Sequence, residues 1–154
     1  MPPLVIESHS DLKDHIGKQI ATTDWLTVTQ DRIQQFADAT GDHQWIHVDV
    51  ERSRRESPYK ETIAHGFLTL SLLPQLMPQV LQIKNGVRMG VNYGLNRLRF
   101  PSAVRAGSRI RAHFTLQAVK ELADGVEIVY AVTVECEGSE KPCCVAEWVV
   151  RSYR

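Results

Sequence analysis

Asp42 and His47 are the residues whose types and spacing could do acid–base chemistry. They lie in the run Thr40–Gly41–Asp42–His43–Gln44–Trp45–Ile46–His47–Val48–Asp49. A carboxylate beside an imidazole makes a usable proton donor–acceptor pair near neutral pH. Five positions apart is too far for one helical turn, but a compact loop can bring both side chains onto one water. The same residues fit a plainer arrangement, with Asp42 capping the turn after Gly41 and His47 facing solvent. The second feature is Ile63–Ala64–His65–Gly66–Phe67–Leu68. A glycine opening an apolar helix offers backbone N–H groups and the positive end of the helix dipole. With no Cβ, Gly66 lets a carbonyl oxygen come close, as an oxyanion hole requires. It also fits a simple tight turn before a core helix. Finally, Arg97, Arg99, Arg105, Arg109 and Arg111 crowd one short stretch. They could grip phosphates or line a solvated strand face.

The elements that must position these groups divide the chain. The first 84 residues read mostly as helix and the last 70 as strand. Ser8 to His15 predicts a short helix, with Ser8 and Asp11 as a capping box and Gly17 as its stop. Ile20 to Val28 predicts a strand. Thr29 caps a helix over Gln30 to Ala39, ended by Gly41. Asp49 caps another over Val50 to Glu56, closed by Ser57–Pro58. Gly66 to Ile83 is apolar on every side, which predicts a helix buried on every side, kinked or divided by Pro74 and Pro78. Gly86 to Phe100 reads as a long glycine-marked strand. Beyond it the period becomes two. Ile110, Ala112, Phe114 and Leu116 share one face, Val126 through Cys136 supply the next, and Cys144, Ala146, Trp148 and Val150 a third. Asp124–Gly125 marks a hairpin turn. Helix beside antiparallel strands is an α+β layout. A hot-dog arrangement, one helix wrapped by one curved sheet, is one such layout among other α+β sandwiches.

Composition narrows the function classes. Lys plus Arg number 18 and Asp plus Glu 18, a formal charge of zero. That balance argues against a domain that coats nucleic acid and against an anionic-membrane binder. A length of 154 residues predicts one domain over 1–154. No apolar stretch reaches the roughly 20 residues that span a bilayer, and the N-terminus does not read as a secretory signal. Three cysteines, two of them adjacent, predict buried reduced thiols and a cytoplasmic protein. His9, His15 and His113 read as surface residues, and no spacing suggests a metal site.

Taken together, GDHQWIHVD, then TIAHGFLTLSLLP, then VNYGLNRLRFPSAVRAGSRI resemble the MaoC-like hydratase family, in the branch that includes nodulation protein N. The resemblance spans about Thr29 to Arg111. It implies a hot-dog fold with a long central helix wrapped by a curved antiparallel sheet, and a homodimer. It implies (R)-specific hydration of trans-2-enoyl-CoA to (3R)-hydroxyacyl-CoA, with no cofactor. Asp42 and His47 match the family's catalytic pair, with Asp42 expected as base and His47 as its partner and proton source. Gly66 matches the oxyanion glycine and His65 a pocket residue beside it. Asn92, Tyr93 and Gly94 are expected to line the substrate tunnel, and Arg97, Arg99 and Arg105 to meet CoA phosphates. An acyl carrier protein thioester is a second candidate substrate. The sequence departs from the family at Gln44–Trp45, where many members read Asn-Pro, and at Pro74, where some carry a polar residue. Two rivals are a hot-dog thioesterase and a non-catalytic acyl-thioester-binding subunit. Against the first, Phe67 to Ile83 holds no Asp or Glu.

Overall fold

The computed structural model describes residues 2–154. The chain opens with β1 (Leu4–Ile6) and a 3₁₀ segment over His9–His15, in which the Ser8–Asp11 capping box forms as expected. The expected strand over Ile20 to Val28 is broken into β2 (Gln19–Thr22) and β3 (Leu26–Thr27), both pairing with the same later strand. Helix α1 (Gln30–Thr40) starts where Thr29 Oγ1 accepts from Arg32 N and stops at Gly41 in the left-handed region. A four-residue turn, α2 (Trp45–Val48), carries His47, so the acid–histidine stretch is only partly loop. Helix α3 (Val50–Glu56) is capped by Asp49, whose side chain accepts from Arg52 N.

The expected long helix over Gly66 to Ile83 is divided. It becomes α4 (Gly66–Ser71), α5 (Leu73–Leu76), a 3₁₀ turn over Met77–Gln79, and then a strand, β4 (Leu81–Ile83). Pro74 and Pro78 each fall at the start of a new segment, where a missing N–H costs nothing. Strand β4 pairs in parallel with β1, a contact a three-residue strand does not announce in sequence. Nor is the helix buried all round: Leu68, Leu72, Leu73 and Leu76 face the core, while Phe67 is 66% exposed.

The remaining strands are β5 (Met89–Arg99), β6 (Arg109–Leu122), β7 (Gly125–Cys136) and β8 (Cys144–Tyr153). The sheet order is β2-β6-β7-β8-β5, with β3 added on β6, and all its pairs are antiparallel. Leu122 pairs with Gly125, so the hairpin turns on Ala123–Asp124. Gly125 is needed one residue later, because a Cβ there would lie 2.2 Å from Ser152 O. The predicted inward faces are buried except at Val150, which is half-buried while Val149 is buried, and Phe114, Tyr130 and Trp148 meet with ring centroids 5.9–6.4 Å apart. One hydrophobic cluster joins these strands to Leu68, Leu72, Leu73 and Leu76 of the central helices, which is the hot-dog arrangement.

His9 corrects the surface reading. It is 3% exposed, and its Nε2 lies 2.7 Å from Ser152 Oγ on β8. Burial pushes its pKa down. His113 is half-buried between Thr22 and Glu135, and His15 is also half-buried. The three cysteines are free and buried, and burial pushes the Cys143 thiol up to about 12. Among the described residues no helix is long and apolar enough to cross a membrane.

Candidate active site

Asp42 follows the left-handed Gly41, which ends α1 and throws the chain out toward solvent. Its side chain is about half exposed. Its Oδ1 accepts from Gln44 N at 3.3 Å, an Asx-type turn that leads the chain into α2. Gln44 therefore holds the loop through its main chain, and its own side chain makes no capping bond. Trp45 packs under the Arg52 guanidinium, 4.3 Å from the ring centroid.

His47 is 6% exposed, so it is not a solvated loop residue. Its Nδ1 lies 2.7 Å from Ile63 O. A carbonyl only accepts, so Nδ1 carries the hydrogen and Nε2 keeps its lone pair. Burial lowers the His47 pKa. The Ile63 bond opposes that, His65 adds to it and Asp42 opposes it. The balance favours a neutral imidazole with a bare Nε2.

His65 caps the N-terminus of α4, is 4% exposed, and stacks on His47 with centroids 3.8 Å apart and planes 22° from parallel. Its Nε2 donates to Asp42 O at 3.0 Å. One donor atom from each of Asp42, His47 and His65 lies within 4.8 Å of the others, which is metal-ligand spacing. The ring geometry opposes that use: nearly parallel rings hold their lone pairs in separate planes, so the lone pairs do not converge on one ion. Of the two His65 nitrogens, Nε2 is already engaged. The set suits one water better than a metal.

Gly66 is the first residue of α4. Leu68 N and Thr69 N both reach back to His65 O, which leaves the Gly66 and Phe67 amides before the first accepting carbonyl. A Cβ at Gly66 would lie 2.8 Å from Phe100 Cδ2, so the ring fills the space a side chain would occupy. Two cavities meet here. One of about 310 Å³ is lined by Phe36, Asp42, His47, His65, Gly66 and Phe100. The other, about 240 Å³, shares His47, Gly66 and Phe100 and runs under Thr69 and Ser102. Phe36, Phe100 and Ile63 O were not singled out from sequence. Phe36 left a trace as an apolar residue on one face of its helix, with Ile33 and Ala37, and Phe100 as one before the proline that follows a strand.

Asn92, Tyr93 and Gly94 lie elsewhere, on β5. With Leu70, Ser71, Pro74, Leu95 and Trp148 they line a separate groove of about 290 Å³. Asn92 Oδ1 accepts from Trp148 Nε1 at 3.2 Å, and Arg151 stacks 3.7 Å from the Tyr93 ring centroid. Phe67 lines the Asp42–His47 pocket, and Leu70, Ser71 and Pro74, which follow it at helical spacing over α4 and α5, line this groove. The arginine cluster splits. Arg109 pairs with Glu137 and Arg111 with Glu135, the solvated strand face. Arg105 bonds Tyr59 O and faces Glu61 at 3.5 Å. Arg97 and Arg99 are exposed on β5, with no carboxylate partner among the described residues; Arg99 bonds Leu98 O.

The sequence profile described as "MaoC like domain" matches residues 11–138, most of the chain. The chain belongs to the MaoC-like dehydratase family. This MaoC-like protein is 52% identical to 3-hydroxyacyl-thioester dehydratase Z of Mycobacterium tuberculosis over 94% of its own length and 95% of that protein's. It is 45% identical to nodulation protein N of Rhizobium leguminosarum bv. viciae, covering 92% and 89%. Its fold matches an R-hydratase from Pseudomonas aeruginosa with TM-score 0.71 at 22% identity, over 90% of this chain and 82% of that one. It also matches a MaoC-like dehydratase from Rhodospirillum rubrum with TM-score 0.70 at 19% identity, over 90% and 92%. The family and the dehydratase Z relative are consistent with hydro-lyase chemistry at the site.

Proposed function

We propose that this MaoC-like protein is a 3-hydroxyacyl-thioester dehydratase that, in reverse, hydrates trans-2-enoyl-CoA to (3R)-hydroxyacyl-CoA. The observation that carries the proposal is one pocket holding the Asp42 carboxylate, the bare His47 Nε2 and the opening of α4 at Gly66. The 52% identity with a hydroxyacyl-thioester dehydratase, over nearly the whole of both chains, supports it.

In the hydration direction a water lies between Asp42 and His47 Nε2. His47 takes one proton from it as the hydroxyl adds to C3, and Asp42 accepts the water's other hydrogen bond and orients it. As the C2=C3 bond opens, negative charge moves to the thioester oxygen, where the Gly66 N–H and the dipole of α4 stabilise it. One such donor is worth about 3–4 kcal/mol in the transition state. His47 then returns its proton to C2 on the same face. Dehydration runs the same steps backward, and only a proton and a hydroxyl move, so no cofactor is required. This reading gives His47 the base role that the sequence expectation placed on Asp42, because Nε2 is the nitrogen left without hydrogen.

The substrate's chain would leave the dyad along Phe67, Leu70 and Pro74 toward the groove at Asn92, Tyr93 and Gly94. Arg97 and Arg99 remain the candidates for CoA phosphates, whereas Arg105 is engaged with Tyr59 and Glu61. The homodimer belongs to the same proposal. Strand β5 pairs with β8 alone, and Met89, Val91, Tyr93 and Leu95 are exposed along it. A long apolar edge of this kind is a template for a second copy. The buried free thiols suit a reducing cytoplasm.

The test is loss of enoyl-thioester absorbance with crotonyl-CoA and longer enoyl-CoAs, followed by chiral analysis of the product. Hydration to the (3R) alcohol is expected. A folded protein that hydrates none of the series, or that makes the (3S) alcohol, contradicts the proposal.

A further inference from the structure

His65 touches more of the site than a wall residue needs to. Its backbone precedes Gly66, so its position is tied to the first amide of α4. Its Nε2–H donates to the Asp42 main-chain oxygen at 3.0 Å, and the same nitrogen lies 3.9 Å from Asp42 Oδ2. Its ring is held between Phe36, at a centroid distance of 4.9 Å, and His47, at 3.8 Å. One side chain therefore bears on Asp42, His47 and Gly66 at once.

Its other nitrogen has no partner. His65 Nδ1 is fully buried and makes no hydrogen bond among the described residues. An acceptor left unpaired in the interior destabilises a fold. A leucine or phenylalanine would fill the volume without that cost. The imidazole is the worse choice for stability, and its one used nitrogen is spent on Asp42.

We propose that His65 is a positioning residue for the dehydration reaction, holding the Asp42 loop and the His47 ring so that one water reaches both. The inference rests on the function proposed above. It differs from the expected role of His65 as a pocket residue, because it acts through two neighbours rather than on substrate. The ionisable groups bearing on His47 are His65, before α4, and Asp42, after α1. Burial is the main cause of the lowered His47 pKa, and His65 adds to it. Phenylalanine in the place of His65 carries no charge in any protonation state, which removes that addition, so the His47 pKa is expected to rise.

The test compares His65→Phe, which keeps the stacked ring and loses the donor, with His65→Gln, which keeps an N–H donor and loses the ring. Both are made in the full chain. With crotonyl-CoA, His65→Phe is expected to lower kcat by up to about 10²-fold, the scale of a small misplacement of reacting groups, with KM changed far less. Its acid limb in kcat/KM against pH should move to higher pH. His65→Gln should recover part of kcat, because the tie to Asp42 O is retained. NMR titration of His47 provides a readout independent of turnover, and its pKa should be higher in His65→Phe than in wild type. Wild-type kcat in both folded variants overturns the proposal, as does a His47 pKa that stays fixed. If the unaltered protein hydrates no thioester, the functional reading fails and the NMR comparison alone decides this one. If His65→Phe does not fold, His65→Gln decides: wild-type kcat with an unmoved His47 pKa overturns the proposal, and a loss in kcat with little change in KM supports it.

Discussion

Strands β5 and β7 are nearly equal in length, at 11 and 12 residues, yet they live in different surroundings. In β7, Val126, Ile128, Tyr130, Val132, Val134 and Cys136 all face the core and are buried, and both edges are hydrogen-bonded. In β5 nearly every residue is exposed, apolar ones included, and only one edge is bonded. The difference shows which half of the molecule is finished. The β6–β7–β8 half closes on its own core. The β5 half, with the exposed Phe67 and the groove at Tyr93, has apolar surface that this chain does not cover. The Asp42–His47 pocket reaches Phe67 on that second half, which is where the proposed substrate and second copy would both arrive.

Two substitutions sharpen the contrast. The larger effect is expected in the finished half. Phe114 is fully buried and touches Tyr130 and Trp148, so Phe114→Ala should lower stability by about 3–5 kcal/mol. Denaturant unfolding measures this, and a loss below about 1 kcal/mol would mean that the core is looser than its packing shows. The smaller effect on folding, and a larger one on assembly, is expected in the open half. Val91 is 42% exposed on β5, so Val91→Lys should leave unfolding within about 0.5 kcal/mol when measured on the monomer. In the proposed homodimer it should shift the balance toward monomer in sedimentation or light scattering, because a lysine on a strand edge opposes edge-to-edge pairing. A variant that stays as dimeric as the wild type moves the interface away from β5.

The finished half was legible because alternation over ten or more residues leaves one solution: the other register would turn every apolar side chain to solvent. Local capping was legible for the same kind of reason. Thr29 and Asp49 each cap the helix that follows, within three residues. What escaped depended on distant partners. His9 reads as a surface residue until Ser152, 143 positions later, is folded over it. The helix from Gly66 ends early because its last residues find β1, a strand of three residues. At the site, the types and order of Asp42, His47 and Gly66 marked the pocket. The tautomer of His47 did not show, because Ile63 offers a main-chain carbonyl that no side chain signals. The arginine cluster looked uniform in sequence and was sorted by Glu135 and Glu137 across the sheet and by Tyr59 and Glu61 beside Arg105.

The central claim is that Asp42 and His47 act on one water at the open end of α4. The measurement that tests it most directly is the initial rate of crotonyl-CoA hydration by Asp42→Asn beside the wild type, at equal folded concentration. The side chain of Asp42 is about half exposed, so the change should leave stability almost untouched. A fall in kcat of about 10²-fold or more, the scale of a misplaced reacting group once the water loses its orienting carboxylate, is the result predicted. A rate equal to the wild type's would contradict the account and take Asp42 out of the mechanism.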